Sequence, residues 1–405
     1  MEAASTTGDV SIPSRFRADP DWARSSSAGF RKLVGPDPDP TQAELDTIVA
    51  GLTSSDPLGA TLADAIAARE VTLKQFREVL AGGLRPDSPE PLRAFFTEVQ
   101  ARPDWVDDQL LVRGAELMRQ AGTVMVDVLD TALVNGYRSS ANTLLLNLTG
   151  GLSHRPLRRL GETLKWTVEC VRAGGLDRDR QGWQLTVHVR LMHALINRHY
   201  ARDAEWDFAT YGMPINQADQ GATLGLHCSY YLLGVRLLGM PITRGQSAAV
   251  MHLWRYIGWL LGVQDYWLPR DEADGRRKFY HLSVTAPGPD DNSRLLAAAF
   301  ETARAEIHYP RFGKAMHRYH SAKTRSIFSV LIGRRGLRED LGLTASWPWY
   351  FLLRVPANLV LHGIIANLPG GRALMLARGE RQLDIALSRL FPDGPAAIGQ
   401  LRHGN

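Results

Sequence analysis

From Trp105 onward the chain repeats apolar residues at intervals of three and four, and almost never alternates them with polar ones. That spacing draws one stripe down a 3.6-residue helix and cannot line one face of a pleated strand. Alternating β-branched runs are few, and no hairpin dipeptide lies between two of them. The pattern predicts helices over 105–134, 141–150, 156–173, 182–201, 222–239, 246–262, 292–307 and 346–367, with Asp104 as the cap of the first. The expected fold class is all-α.

The other parts of the chain are expected to serve that body. Residues 1–40 end in Gly35-Pro36-Asp37-Pro38-Asp39-Pro40, which predicts a flexible N-terminal arm. Residues 41–102 are helical in period with Gly and Pro punctuation, an N-terminal helical cap. The main domain is expected over 103–380 and a C-terminal tail over 381–405.

Charge excludes some functions. There are 47 basic and 42 acidic residues, net +5, and the arginines are scattered, so no nucleic-acid footprint is drawn. Two cysteines, Cys170 and Cys228, sit in apolar stretches and exclude a disulfide scaffold. The first residues hold no apolar run of signal length, which predicts a cytoplasmic protein, or a secreted one if a leader was removed. Trp349 to Leu368 has the length of a membrane span, but Arg354, Pro356, Asn358 and His362 are costly in hydrocarbon. A buried core helix, without stable membrane insertion, is expected there.

Two helices carry the chemistry. In the first, Leu160, Leu164, Val168 and Val171 form the apolar stripe, while Arg159 and Thr163 share a second face. An arginine and a hydroxyl so placed hold a buried anion or form a solvated edge. The second helix contains His188, His193 and His199. At about 100° per residue, His188 and His199 point about 140° and about 120° away from His193, on opposite sides, so they do not form a zinc triad. His193 sits among Val189, Met192, Leu195 and Ile196, with Arg190 one turn before it. A neutral imidazole in apolar surroundings suits an axial iron ligand or a satisfied core residue. Trp254, Trp259 and the His227-Cys228 pair read as core, His317 and His320 as a solvated face, and Asp271 to Asp274 as an acidic loop or helix start.

Four segments stand in order between about 103 and 270: Arg159-Leu160-Gly161-Glu162-Thr163; Val189-Arg190-Leu191-Met192-His193-Ala194; Tyr211-Gly212-Met213-Pro214-Ile215-Asn216-Gln217; and Trp254-Arg255-Tyr256-Ile257-Gly258-Trp259-Leu260-Leu261-Gly262. Together they resemble the helical oxygenases that include latex-clearing proteins and the fungal endoplasmic-reticulum oxygenase of mycophenolic acid biosynthesis. The resemblance implies a globin-like helical core with extra N-terminal and C-terminal helices, b-type haem with its iron, and O2-dependent cleavage of C=C bonds in an isoprenoid or other apolar substrate. It implies His193 as proximal ligand, Arg159 and Thr163 as haem-supporting positions, and Arg190 as the arginine preceding the ligand. No residue is singled out for the chemical step. The chain departs from the rubber-cleaving branch, which has a lysine where Glu162 stands and an upstream carboxylate where Ala141 to Leu144 offers none. A haem protein with another redox or sensor role, and a haem-free helical binding protein, are the alternative readings.

Overall fold

The computed structural model describes residues 12–149 and 156–391. Among them no strand occurs; helices carry the whole architecture. The chain is all-α.

Helix α1 (Pro20–Arg31) lies inside the stretch expected to be an arm. It is packed: Ala23 is fully buried, and Arg15 just before it holds Asp219 at 2.8 Å. The cap follows as α2 (Gln42–Thr53), α3 (Pro57–Ala67), α4 (Leu73–Gly82) and α5 (Glu90–Gln100). Thr41 and Thr72 open α2 and α4 with reciprocal capping boxes. Phe76, Phe95 and Phe96 join this cap to the main core.

The long helix expected over 105–134 is broken in two. Asp107, not Asp104, caps α6 (Asp108–Ala121), accepting from the amides of Gln109 and Leu110. Gly122 then takes φ +54°, a left-handed conformation that suits glycine, and α7 (Thr123–Gly136) starts as a separate helix. Periodicity continued across the break because both helices bury one stripe. Next come α8 (Ser140–Leu148), α9 (Pro156–Val171) and α10 (Gln181–Tyr200). Helix α11 (Gln217–Gly225) passes through a π-turn (Leu226–Tyr230) into α12 (Tyr231–Leu237). Helix α13 (Arg244–Leu260) packs along α6, and Gly114 permits the approach, since a Cβ there would strike the Ala249 carbonyl.

Besides α1, three long helices lie outside the stretches expected to be helical. Helix α14 (Glu272–Val284) grows from the acidic segment, with Asp271 as its cap. Helix α16 (Gly313–Phe328), after α15 (Asp291–Glu306), carries His317 and His320, and His320 stacks on Tyr309 at 5.0 Å. The last helix, α18 (Gly371–Leu390), runs from the expected main domain into the stretch expected to be tail, of which residues 392–405 lie outside the described ones.

Helix α17 (Trp349–Asn358), prolonged by a π-turn (Leu359–Ile364), overturns the expectation of a buried core helix. The segment Trp349–Asn367 is long and apolar enough to cross a membrane, yet only 17% of its most apolar window is buried. Leu352, Leu353, Leu359, Val360 and Ile364 face outward. Arg354, Asn358 and His362, four apart, share the other side, where Asn358 Nδ2 donates to the Leu238 carbonyl at 2.7 Å. Of the four residues that made the segment look too costly to face lipid, Arg354, Asn358 and His362 are turned inward and Pro356 is exposed.

Candidate functional site

His193 stands near the middle of α10, and its surroundings come from three directions. Asn197, one turn later, bonds both ways with the backbone of Ile215, at 2.9 Å and 2.6 Å. Asn216 then caps α11 by accepting from the Asp219 amide, so the first turn of α11 is fixed beside His193. Gln217 reaches the Gly262 carbonyl and the Gln264 amide, tying the same turn to the end of α13.

The Gln220 side chain thereby lies against the imidazole, where it favours a proton on the ring. His193 Nδ1 and Gln220 Oε1 are both sealed from water and lack a hydrogen-bond partner. The pair completes itself if Nδ1 carries the proton and donates to Oε1. Nε2 is not sealed, and the ring as a whole is half-buried. Burial, followed by the charge of Arg159, pushes the His193 pKa down to about 4 against the opposing pull of Gln220 and Asp56. At neutral pH the ring is neutral, with Nε2 as a free lone pair.

Arg159 on α9 is within electrostatic reach of His193 and of Tyr137. Its guanidinium is part-exposed and only loosely paired with Glu162, at 3.8 Å. Thr163 shares its face, and its hydroxyl donates to the Arg159 carbonyl at 3.2 Å. Arg190 is placed otherwise. Its guanidinium is buried, donates to both oxygens of Asp56 at 2.6 and 2.8 Å and to Glu98 at 2.9 Å, and covers the Phe95 ring. It clamps the cap helices to α10, and its charge is answered within the protein.

The other histidines of α10 diverge as the spacing requires. His188 packs near Phe76, with ring centroids 6.4 Å apart, and His199 is exposed near Asp203. Among the described residues no group of three His, Cys, Asp or Glu side chains is close enough to hold a bare ion. His193 would therefore need a metal that brings its other ligands with it.

Sequence reasoning missed Gln220, whose meeting with His193 is made only by the fold. It also set aside His227, which lies on the π-turn after α11, half-buried between Trp166 and Trp254. Its Nδ1 meets the Thr223 carbonyl at 2.8 Å. A π-turn in a long helix was the available structural signal, since such turns gather at functional sites. A cavity of about 570 Å³ opens on the other side of α11, between Ala218, Ala222 and Leu226 and the end of α7 at Gly136, and His193 does not line it.

A family model described as "ER-bound oxygenase mpaB/B'/Rubber oxygenase, catalytic domain" matches residues 110–360. The rubber oxygenase of Streptomyces sp. (strain K30) is 26% identical over 305 residues, covering 71% of this chain and 70% of that protein. The structure of latex clearing protein LCP in the closed state superposes with a TM-score of 0.63 over 90% of this chain and 94% of that one. At 18% identity the latter likeness speaks for the fold alone.

Proposed function

This chain belongs to the family of ER-bound mpaB/B' and rubber oxygenases, and from that premise we propose that it holds haem b through His193 and uses O2 to cleave C=C bonds of an isoprenoid or other apolar substrate. The observation that carries the reading is the His193 ring: half-buried, neutral at pH 7, with a sealed Nδ1 beside Gln220 and an Nε2 that is not sealed.

Those residues fit the group. Nε2 would face iron, and Gln220 would accept from Nδ1–H, fixing the tautomer and the ring plane as second partners of ligating histidines do. Because the ring is already neutral at pH 7, no proton has to leave it before it ligates. Arg159, part-exposed and weakly paired, is free to meet a haem propionate bidentately, with Thr163 beside it. Arg190 serves at one remove: bonded to Asp56 and Glu98, it holds α10 at a fixed height against the cap. Haem, when bound, supplies the dioxygen chemistry that no side chain here can supply. Both atoms of O2 enter the products, so one C=C bond becomes two carbonyl groups. The 570 Å³ cavity, lined by Phe30, Leu33, Leu226, Phe279 and Leu331 among others, is apolar space of a size that suits such a substrate, and α11 stands between it and His193.

A haem protein without alkene cleavage is the second reading. It is favoured by helix α8, where Ser140–Leu148 carries no acid able to serve as a base. Haem loading followed by oxidised and reduced spectra tests the cofactor. Incubation with short isoprenoids and O2 tests the reaction, with carbonyl-ended fragments as the expected product. A normal haem spectrum with untouched isoprenoid would leave the second reading standing and overturn the first.

A further inference from the structure

Helix α17 is amphipathic in the reverse sense for a protein surrounded by water. Its outer face shows Leu352, Leu353, Leu359, Val360 and Ile364, with Leu353 65% exposed. Its inner face carries Arg354 Nε and Nη2, Asn358 Oδ1 and His362 Nε2, all sealed from solvent and without a hydrogen-bond partner. In water alone both faces are unfavourable. An apolar medium against the outer face removes half of that conflict.

Acids are missing from the segments that make up this helix and its neighbour. From Leu341 to Gly379, and again from Tyr309 to Lys323, the sequence contains no Asp or Glu, although acids nearly balance bases over the whole chain. The two segments meet where the Tyr319 and Trp349 rings lie 6.1 Å apart. Arg311, Lys314 and Arg318 have no carboxylate within ion-pair distance among the described residues. Between the first two, Phe312 is 81% exposed and sits at φ +54° as the N-cap of α16. A bulky residue held in the left-handed region and pointed at water is a strained feature of the kind found where function needs it.

We propose that α17 and the Phe312 turn form a docking face for a bilayer that carries anionic phospholipids. Phe312, Trp347 and the outer leucines enter the acyl boundary, and Arg311, Lys314 and Arg318 lie at the head groups. An apolar helix face flanked by bases and aromatics is the pattern of an interfacial helix. The helix lies on the membrane and does not span it, because its inner face is fastened to the protein at Leu238. A second copy of the chain fits less well: a two-fold interface would lay this positive face against itself.

The docking stands on the surface alone and is independent of haem. Its use follows from the oxygenase reading. Leu237 and Val330, exposed rim residues of the 570 Å³ cavity, adjoin this face, since Leu238 accepts from Asn358 and Ser329 Oγ accepts from the Ser346 amide at 2.8 Å. An apolar substrate dissolved in the bilayer then has a path into the cavity that does not cross water.

The test is co-sedimentation of the full chain with vesicles of phosphatidylcholine, alone or with about 30% phosphatidylglycerol, which sets the surface charge. The wild-type protein is expected to pellet with the anionic vesicles, on the order of tenfold more weakly with neutral ones, and to be released in part at about 0.5 M salt. Phe312→Gly, which relieves the left-handed strain, and Leu352→Gln/Ile364→Gln are each expected to weaken binding on the order of tenfold with helix content and Tm retained. Wild-type protein that stays in the supernatant with anionic vesicles overturns the proposal. So does undiminished binding by both variants, or a dimer in light scattering that Leu352→Gln/Ile364→Gln converts to monomer. The Soret band, recorded on the same samples, reports separately on the haem reading.

Discussion

Two arginines on helix faces turned inward, Arg190 and Arg354, meet opposite fates. Arg190 finds Asp56 and Glu98, residues brought from the cap, and its Nε and Nη2 are bonded at 2.6 to 2.9 Å. Arg354 lies on a stretch with no acid of its own, and its Nε and Nη2 are sealed without partners. Around His193 the buried Arg190 is answered by two carboxylates although its Nη1 is left over, Arg159 is loosely held, and the neutral ring leaves Nε2 open. Along α17 nothing answers, and the apolar residues face out. One region is built to hold something within the protein, the other to lie against something outside it.

The contrast breaks most visibly by deletion. Arg190→Leu leaves Asp56 and Glu98 without their cation and is expected to cost about 3–5 kcal/mol, read as a large fall in the urea midpoint. Arg354→Leu removes unpaired donors and is expected to stay within about 1 kcal/mol of wild type. Equal losses in the two variants would erase the distinction.

Next in size is Gln220→Leu, which keeps the volume roughly but removes the acceptor for His193 Nδ1. Haem titration is expected to show affinity about 10–100-fold weaker, the usual cost of losing such a partner, with the urea midpoint nearly unmoved. Unchanged affinity would mean that Nδ1 does not use Gln220.

Acid sharpens the comparison further. His320 and His362 are both pushed down to about 4: His320 by burial and then by Lys323 and Arg304, His362 by burial and then by Arg354 and Arg378. The unfolded chain therefore takes up these protons before the native one does. Their contribution to stability is whole above about pH 6.5, is lost as the pH falls toward about 4, and changes no further below that. Urea midpoints taken across this window should fall for the wild type and fall less for His362→Gln. Parallel curves would show that His362 is not held neutral. The smallest effect is expected of Thr163→Val, within about 0.5 kcal/mol by thermal melt, because its hydroxyl only returns to its own helix at the Arg159 carbonyl.

What the sequence made legible follows from range. Helices α9 and α10, their apolar stripes, and the divergence of His188 and His199 from His193 depend on neighbours within a few turns, and they stand as expected. Asp56 and Glu98 lie 134 and 92 residues from Arg190, so no spacing on α10 could announce them. Gln220 meets His193 only because Asn197 and Ile215 fasten two helices together. The outward turn of α17 was illegible for another reason. Composition records that Leu352 and Arg354 share a helix, and burial alone decides which of them faces water. Helix α1 was missed because residues flanking it are rich in Pro and Gly, although Asp19 and Pro20 are a sound helix start.

The most direct measurement is haem loading of His193→Gly beside the wild type, with imidazole then added to the variant. The account predicts a Soret band in the wild type, its loss in His193→Gly, and its return when free imidazole takes the vacated place at iron. Full haem content in His193→Gly without imidazole, or a wild-type protein that stays colourless when haem is supplied during expression, would contradict it.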